Sequence, residues 1–311
     1  MKINEKRATM TISNSQLDVW SNQGATTTPK LLREKIERVL RSETSLVSDK
    51  KDVSIYLQGS YKNSTNIYGN SDVDIVVQTN KVFYGDISQL TEIQKNAYKN
   101  YTKNSDYTWD IYKKEIVSTL VEYFGSDKII IGNKSIKVET DNFEADVVPC
   151  IQYRKYYDYG NTTDSQNYVE GIKFFTTEEK REVINYPKLH FSFGAEKNRE
   201  TREMYKPTIR IFKNIKKTLV NAGKLDKSTV PSYFIENLLY NVPNERFVKG
   251  NYSLTVLNLL SWLAENRENM SLFICQNKMV NLFGPTPEQW NEVDATNFIY
   301  ESIILSNEWG K

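Results

Sequence analysis

The sequence predicts an α+β chain, with a mixed α/β front half followed by an all-helical back half. Three observations carry this reading. Up to about residue 175, short apolar runs alternate with turn signals, as in Val53–Leu57, Val73–Val77 and Phe143–Ile151. From about residue 200, apolar residues recur at helical spacing, as in Ile209, Phe212, Ile215 and Leu219. Between the first two strand-like runs the chain breaks at Gly59-Ser60 and resumes as Ser71-Asp72-Val73-Asp74, so two carboxylates stand just before and inside the second run.

At 311 residues the chain has room for two domains, expected at residues 1–199 and 200–311. Hydrophobic residues make up 39% and charged residues 26%, the balance of a soluble globular protein rather than a disordered one. The formal net charge is only +2, which argues against a large basic face and against duplex nucleic acid as a stable partner. A local groove for nucleotides stays open. No apolar run is long enough for a transmembrane helix, so no membrane association is expected. Cys150 and Cys275 follow neither metal nor redox spacing and no signal peptide is evident, so the expectation is a cytoplasmic protein with two reduced thiols. His190 is the single histidine, which excludes histidine-rich metal centres.

Taken in order, residues 1–27 read as polar and irregular. Thr28 is placed to cap a helix that opens on Pro29 and presents Leu32, Ile36, Val39 and Leu40 as one stripe. Val53–Leu57 and Val73–Val77 read as strands lying side by side, with a turn and short helix over Gly59–Tyr68 between them. Residues 80–108 are weakly patterned. A long helix then places Trp109, Tyr112, Ile116, Leu120 and Phe124 on one face and stops at Gly125. Lys128–Ile131 and Ser135–Glu139 read as a hairpin about Gly132-Asn133, Phe143–Ile151 as a third core strand, and residues 152–175 as a further hairpin. In the back half, helices are expected around Ile209–Leu219, ending at Gly223, and over Pro231–Tyr240 and Leu254–Glu265. Thr286-Pro287-Glu288-Gln289 has the form of a capping box and predicts a last helix through about Leu305.

The chemistry begins with Asp72 and Asp74. Residues i and i+2 of a strand share a face, so the two carboxylates aim at one place, and like charges held together call for a cation. Hard carboxylate oxygens suit Mg²⁺ or Mn²⁺. Asp146 stands inside an otherwise apolar run, where a lone carboxylate is expensive to bury, and facing the same metal would compensate it. Three aspartates on adjacent strands outline a site for two ions, which can activate a hydroxyl and stabilise leaving pyrophosphate. Gly59 and Ser60 let the backbone approach a phosphate tail. Lesser candidates have ordinary structural readings beside them. Ser64 and Thr65 either bind phosphate or cap the local helix. Lys197-Asn198 either line an acceptor pocket or sit in a solvated loop. Arg154-Lys155 with Tyr153, Tyr156 and Tyr157 form either a nucleic-acid patch or, more in keeping with the pattern, a hairpin rim. His190 reads as a structural or surface imidazole.

The string GSYKNSTNIYGNSDVDIVV resembles the Gly-Ser and Asp-x-Asp signature of the polymerase-β-like nucleotidyltransferases, and EADVVPC resembles their third-aspartate strand. Within that superfamily the chain is most similar to the bacterial CD-NTases, relatives of cyclic GMP–AMP synthase and oligoadenylate synthase. EGIKFFT, INYPKLH and KNRETREMYKPTIRIFKNIKK are similar to the family's connection into its helical lobe, and VPSYFIENL to the Ser-Tyr segment that lies against a base. The resemblance implies a mixed-sheet nucleotidyltransferase core, a C-terminal helical lobe and an active site in the cleft between them. It implies metal-bound catalytic Asp72, Asp74 and Asp146, with nucleotide contacts at Gly59, Ser60, Lys213, Ser232 and Tyr233. From helical spacing alone, Lys213 reads as a solvated lysine and Tyr233 equally as core. The activity implied is condensation of nucleoside triphosphates into a cyclic di- or trinucleotide, a second messenger in anti-phage defence that switches on a separate effector, with room for a regulatory protein. The rivals are a template-independent RNA nucleotidyltransferase, a transferase that modifies a protein or antibiotic, and a catalytically inactive nucleotide-binding relative.

Overall fold

The computed structural model describes residues 12–48, 50–69, 73–140, 143–160 and 166–308. Contacts divide the chain into two compact units. One holds Thr26–Tyr61 and Asp72–Pro187; the other gathers Met1–Ala25, Lys62–Ser71 and Lys188–Lys311.

The first unit is built on a sheet of seven strands: β1 (Val53–Leu57), β2 (Val73–Asp86), β3 (Ile129–Ile131), β4 (Ile136–Thr140), β5 (Phe143–Tyr159), β6 (Gln166–Phe175) and β7 (Glu182–Asn185). The order is β1-β2-β5-β4-β3, with β6 pairing β5 and β7. β2 and β5 are parallel and the other pairs antiparallel, so the sheet is mixed, as the resemblance implies. β1 pairs β2 with Leu57 opposite Ile75, which bears out the side-by-side reading.

One face of this sheet is covered by α2 (Thr27–Leu40) and α5 (Trp109–Phe124). Leu32, Ile36 and Leu40 from α2 and Tyr112, Ile116 and Leu120 from α5 pack on Ile55, Ile75, Val77, Val138 and Val147. Both helices follow their apolar spacing. The Thr108 hydroxyl caps α5, and Gly125, at φ 93°, ends it. α2 begins at Thr27, ahead of Pro29. The first N–H groups of a helix have no intrahelical acceptor, so proline fits anywhere in that turn.

Residues 80–108 are more ordered than their weak pattern suggests. β2 runs on to Asp86 past an irregularity between Thr79 and Phe83, and α4 (Glu92–Tyr101) follows behind a capping box of Thr91 and Gln94. α4 buries no residue fully. It is held through the Tyr98 ring, 5.5 Å from Tyr156 and 5.2 Å from Tyr159. Without an apolar stripe there was no period to read. The same packing decides the Arg154-Lys155 segment. Tyr153 and Tyr156 are buried, and the Arg154 guanidinium stacks over Phe83 at 4.0 Å, so these groups are spent on the fold and only Tyr157 is exposed.

The second unit contains α1 (Asn14–Ser21), α6 (Pro187–Glu200), α7 (Tyr205–Asn221), α8 (Ser232–Tyr240), α9 (Tyr252–Glu265) and α10 (Glu292–Glu308). Their core is continuous and includes Leu17, Ile209, Phe212, Ile215, Leu219, Ile235, Leu238, Leu259 and Phe298. α1 falls in the stretch read as irregular; the Ser13 hydroxyl caps it and Leu17 is its one fully buried apolar anchor. The expected last helix starts later than the capping-box reading. Gln289 Oε1 does accept from the Thr286 hydroxyl at 3.0 Å, but Trp290 N–H bonds Leu282 O at 2.7 Å and the Trp290 indole donates to Thr229 O at 2.8 Å. These tertiary bonds hold Thr286–Trp290 as a turn. α10 begins at Glu292 under an Asn291 side-chain cap.

Leu120→Ala, at a fully buried site between α5 and the sheet, is expected to destabilise the first unit by about 2–5 kcal/mol. Ile93→Ala, 82% exposed on α4, should change stability by less than about 0.5 kcal/mol. Urea denaturation followed by circular dichroism checks both, and equal effects would contradict this packing.

Candidate functional site

The first unit gathers the predicted acidic site on β2 and β5. In the parallel ladder Asp74 stands directly opposite Asp146. Registered neighbours project to the same side of a sheet, so these two carboxylates share a face. Ile75, Val77 and Val147 fill the face covered by α2 and α5, while Val76, Val148 and Cys150 lie in a separate cluster. The aspartates alternate with the first set, so they project from the face opposite the two helices. Both are half-buried, and Ser135 Oγ donates to Asp146 Oδ1 at 2.9 Å. Asp72 lies outside the described residues. Among the described residues no cluster of three metal-ligating side chains forms.

Gly59 closes on this pair from β1. Gln58 N–H bonds Asp74 O at 3.0 Å, and Gly59 then turns at φ +64°. A Cβ on Gly59 would stand 2.5 Å from Asp74 Oδ2. Glycine is therefore required twice, for the left-handed backbone and for the carboxylate pressed against it. Ser60 follows in the short helix α3 (Gly59–Asn63) and is half-buried. Two carboxylates on neighbouring strands, whose backbones run about 4.8 Å apart, fit a hard divalent cation by charge and donor type.

The helical unit holds the other predicted contacts. Ser232 opens α8, with Pro231 as its cap, and is half-buried. The Tyr233 ring stacks on His190, with centroids 5.2 Å apart at 26°, and burial pushes its hydroxyl far above the usual tyrosine range. Lys213 is the main surprise. Helical spacing alone suggests a solvated lysine, yet it is 4% exposed. Its ammonium donates to Glu236 Oε1 at 2.6 Å and to the carbonyl and hydroxyl of Thr65, each at 3.1 Å. An ammonium has three donors, and all three are engaged here.

Glu236 is a residue the sequence reading passed over. Oε1 accepts from Lys213 and from the Thr65 hydroxyl at 2.5 Å; Oε2 accepts from Asn63 Nδ2 at 3.1 Å and His190 Nε2 at 3.2 Å. All four acceptor positions of the carboxylate are filled. Burial raises its pKa, but the Lys213 ammonium and His190 outweigh that and hold the carboxyl well below its ordinary range. The signal was available in the sequence, since Glu236 stands alone among Ile235, Leu238 and Leu239 on α8, just as Asp146 does in β5. His190 is the structural imidazole expected, 4% exposed. Thr65 neither caps a helix nor lies open to phosphate: it is 1% exposed inside this network. Lys197 and Asn198 are buried on α6 rather than in a solvated loop. Lys197 Nζ donates to Val242 O and Asn244 Oδ1, both at 2.8 Å, and burial brings its pKa down to about 8.

No helix among the described residues is long and apolar enough to cross a membrane. Residues 34–186 match the nucleotidyltransferase domain, and residues 192–306 match the cGAS/DncV-like nucleotidyltransferase C-terminal helical domain. Over 300 residues the chain is 51% identical to the cyclic nucleotide synthase CdnE01 of Staphylococcus haemolyticus, spanning 96% of this chain and 100% of that protein. The solved structure of the Rhodothermus marinus CdnE c-UMP-AMP synthase with Apcpp and Upnpp superposes with a TM-score of 0.85 at 45% identity, covering 96% of this chain and 98% of that one. The Elizabethkingia meningoseptica CdnE cyclic dinucleotide synthase with GTP and Apcpp gives a TM-score of 0.74 at 31% identity, covering 93% and 97%. A polymerase-β-like mixed sheet, helices matched to the family's own C-terminal domain and half of all residues shared with one synthase leave a single assignment: the chain belongs to the CD-NTase family of nucleotidyltransferases.

Proposed function

We propose that this nucleotidyltransferase joins nucleoside triphosphates into a cyclic dinucleotide or trinucleotide, releasing pyrophosphate at each bond. The observation that carries the reading is the registered pair Asp74 and Asp146, with Gly59 packed on the Asp74 carboxylate. Two divalent cations, Mg²⁺ or Mn²⁺, held by Asp72, Asp74 and Asp146 would neutralise a triphosphate and lower the pKa of the attacking hydroxyl. The chain's own residues do the rest. Gly59 and Ser60 offer backbone and hydroxyl donors to the phosphate tail, and Ser232 a second hydroxyl. Asp146, oriented by Ser135, stands ready to take the proton of the attacking hydroxyl. The Tyr233 ring offers a stacking surface for a base. Lys213, the triphosphate contact that the resemblance implies, has its ammonium ordered by Thr65 and Glu236.

Base choice is left to side chains around the nucleotides, because the two solved relatives hold different nucleotide pairs on the same fold. The product serves as a second messenger that carries an anti-phage signal to a separate effector protein, and a regulatory protein could set when it is made. That part rests on family membership.

Incubating the protein with all four triphosphates and Mg²⁺ or Mn²⁺, followed by mass spectrometry, should give a short cyclic species. A lengthened RNA would favour the template-independent polymerase instead. Asp74→Asn and Asp146→Asn should each lower pyrophosphate release at least about a hundredfold. Product that persists in either variant would sink the acidic-site assignment.

Gly59→Ala places a methyl group against Asp74 and an alanine at positive φ. Small displacements at a reacting centre are costly, so the rate should fall roughly tenfold to a hundredfold while the circular dichroism spectrum stays that of the parent. An unchanged rate would remove the Gly59–Asp74 contact from the mechanism.

A further inference from the structure

The short segment that leaves the Gly-Ser turn and leads to Asp72 and Asp74 groups with the helical unit, and its bonds explain why. Asn63 and Thr65 bond Glu236, Lys213 bonds the Thr65 carbonyl, the Arg210 guanidinium bonds Ser64 O, and Lys217 Nζ reaches Tyr68 O at 3.3 Å. Asn66 is pinned from the other side: Gly24 N–H donates to its carbonyl at 3.1 Å and its amide donates to Ala25 O at 3.0 Å. Ser64 holds φ at 59°, a conformation that a non-glycine residue keeps only when its surroundings impose it. Glu236 accepts two of these bonds, supports a third through Lys213, and also bonds His190, on which the Tyr233 ring lies.

We propose that Glu236 is a positioning residue for nucleotide transfer: its buried carboxylate fixes the 63–66 segment that follows Ser60 and, through His190, the ring of Tyr233. This rests on the nucleotidyl-transfer reading above. Glu236 does not touch substrate. It acts through Thr65, Asn63, Lys213 and His190, each bonded to this one carboxylate.

Three variants separate positioning from simple stability. Thr65→Val keeps the shape and removes one hydroxyl, with its bonds to Glu236 and Lys213, while Lys213 keeps Glu236 and the residue-65 carbonyl as partners. Thr65→Ser keeps the hydroxyl. Glu236→Gln keeps the shape and removes the charge. Each is assayed below its own melting temperature, by pyrophosphate release from the four triphosphates with Mg²⁺ and by amide hydrogen exchange. For Glu236→Gln and Thr65→Val, the triphosphate concentration at half-maximal rate should rise about tenfold, as expected when a buried partner is left unsatisfied. Amides of residues 62–69 should exchange faster while those of α9 do not change, and Thr65→Ser should stay near the parent in both readouts. A lowered melting temperature with unchanged half-saturation and unchanged exchange in residues 62–69 would overturn the proposal and leave Glu236 a structural residue. If the parent protein itself releases no pyrophosphate, the nucleotidyl-transfer reading fails, while the exchange arm still decides whether Glu236 orders the segment.

Discussion

The parallel pairing of β2 with β5 is the constraint on which the first unit depends. It is the sheet's only parallel junction, and it sets two things at once. Ile75, Val77 and Val147 must face α2 and α5 to make a core, and the alternation of a strand then sends Asp74 and Asp146 to the other side. A slip of one residue in β5 would turn Asp146 toward α5 and expose Val147 in its place. Apolar packing therefore fixes the register, and the register fixes the acidic pair. The core needs no knowledge of the site to build it.

Much of this was legible from spacing. β1, α5 and the β3–β4 hairpin follow the sequence pattern closely, because each carries its own period and its own stop signal. The missed elements lack such a period. α1 has one fully buried apolar side chain, and α4 has none and leans on its neighbours through Tyr98, Ala97 and a Gln94–Asp158 bond. Thr286–Gln289 shows the converse failure: its capping signature is half realised, with Gln289 Oε1 accepting from the Thr286 N–H and hydroxyl, yet Trp290 draws the segment into a turn. Only the Gln289 half of the box forms, because the Gln289 N–H bonds the Thr286 carbonyl instead of its hydroxyl, and the tertiary bonds move the helix start.

The site was read unevenly for a related reason. A carboxylate in an apolar strand is conspicuous, and Asp146 stands where that argument put it, in register with Asp74. Lys213 and Glu236 lie on different helices, with Asn63 at the end of α3 and Thr65 in the loop after it, more than a hundred residues earlier. No period links these positions, so spacing treats each as a separate surface group. Only the folded chain shows that they complete one another, with three donors on Lys213 and four acceptor positions on Glu236 all matched.

A buried ion pair of this kind is poor evidence of stabilisation. Removing two charges from water costs several kcal/mol per ion, and well-packed apolar residues of similar volume often serve stability as well or better. What apolar residues cannot do is direct a polar loop. Residues 63–66 present backbone carbonyls and short polar side chains, and such a segment is held by groups that answer those atoms one by one. Glu236, Lys213 and Arg210 do so, and they hold Ser64 in the left-handed region against its own preference. The path of residues 63–66 thus depends on charges set into a helical core, where their desolvation cost is the consequence of specifying a loop rather than of stabilising a fold.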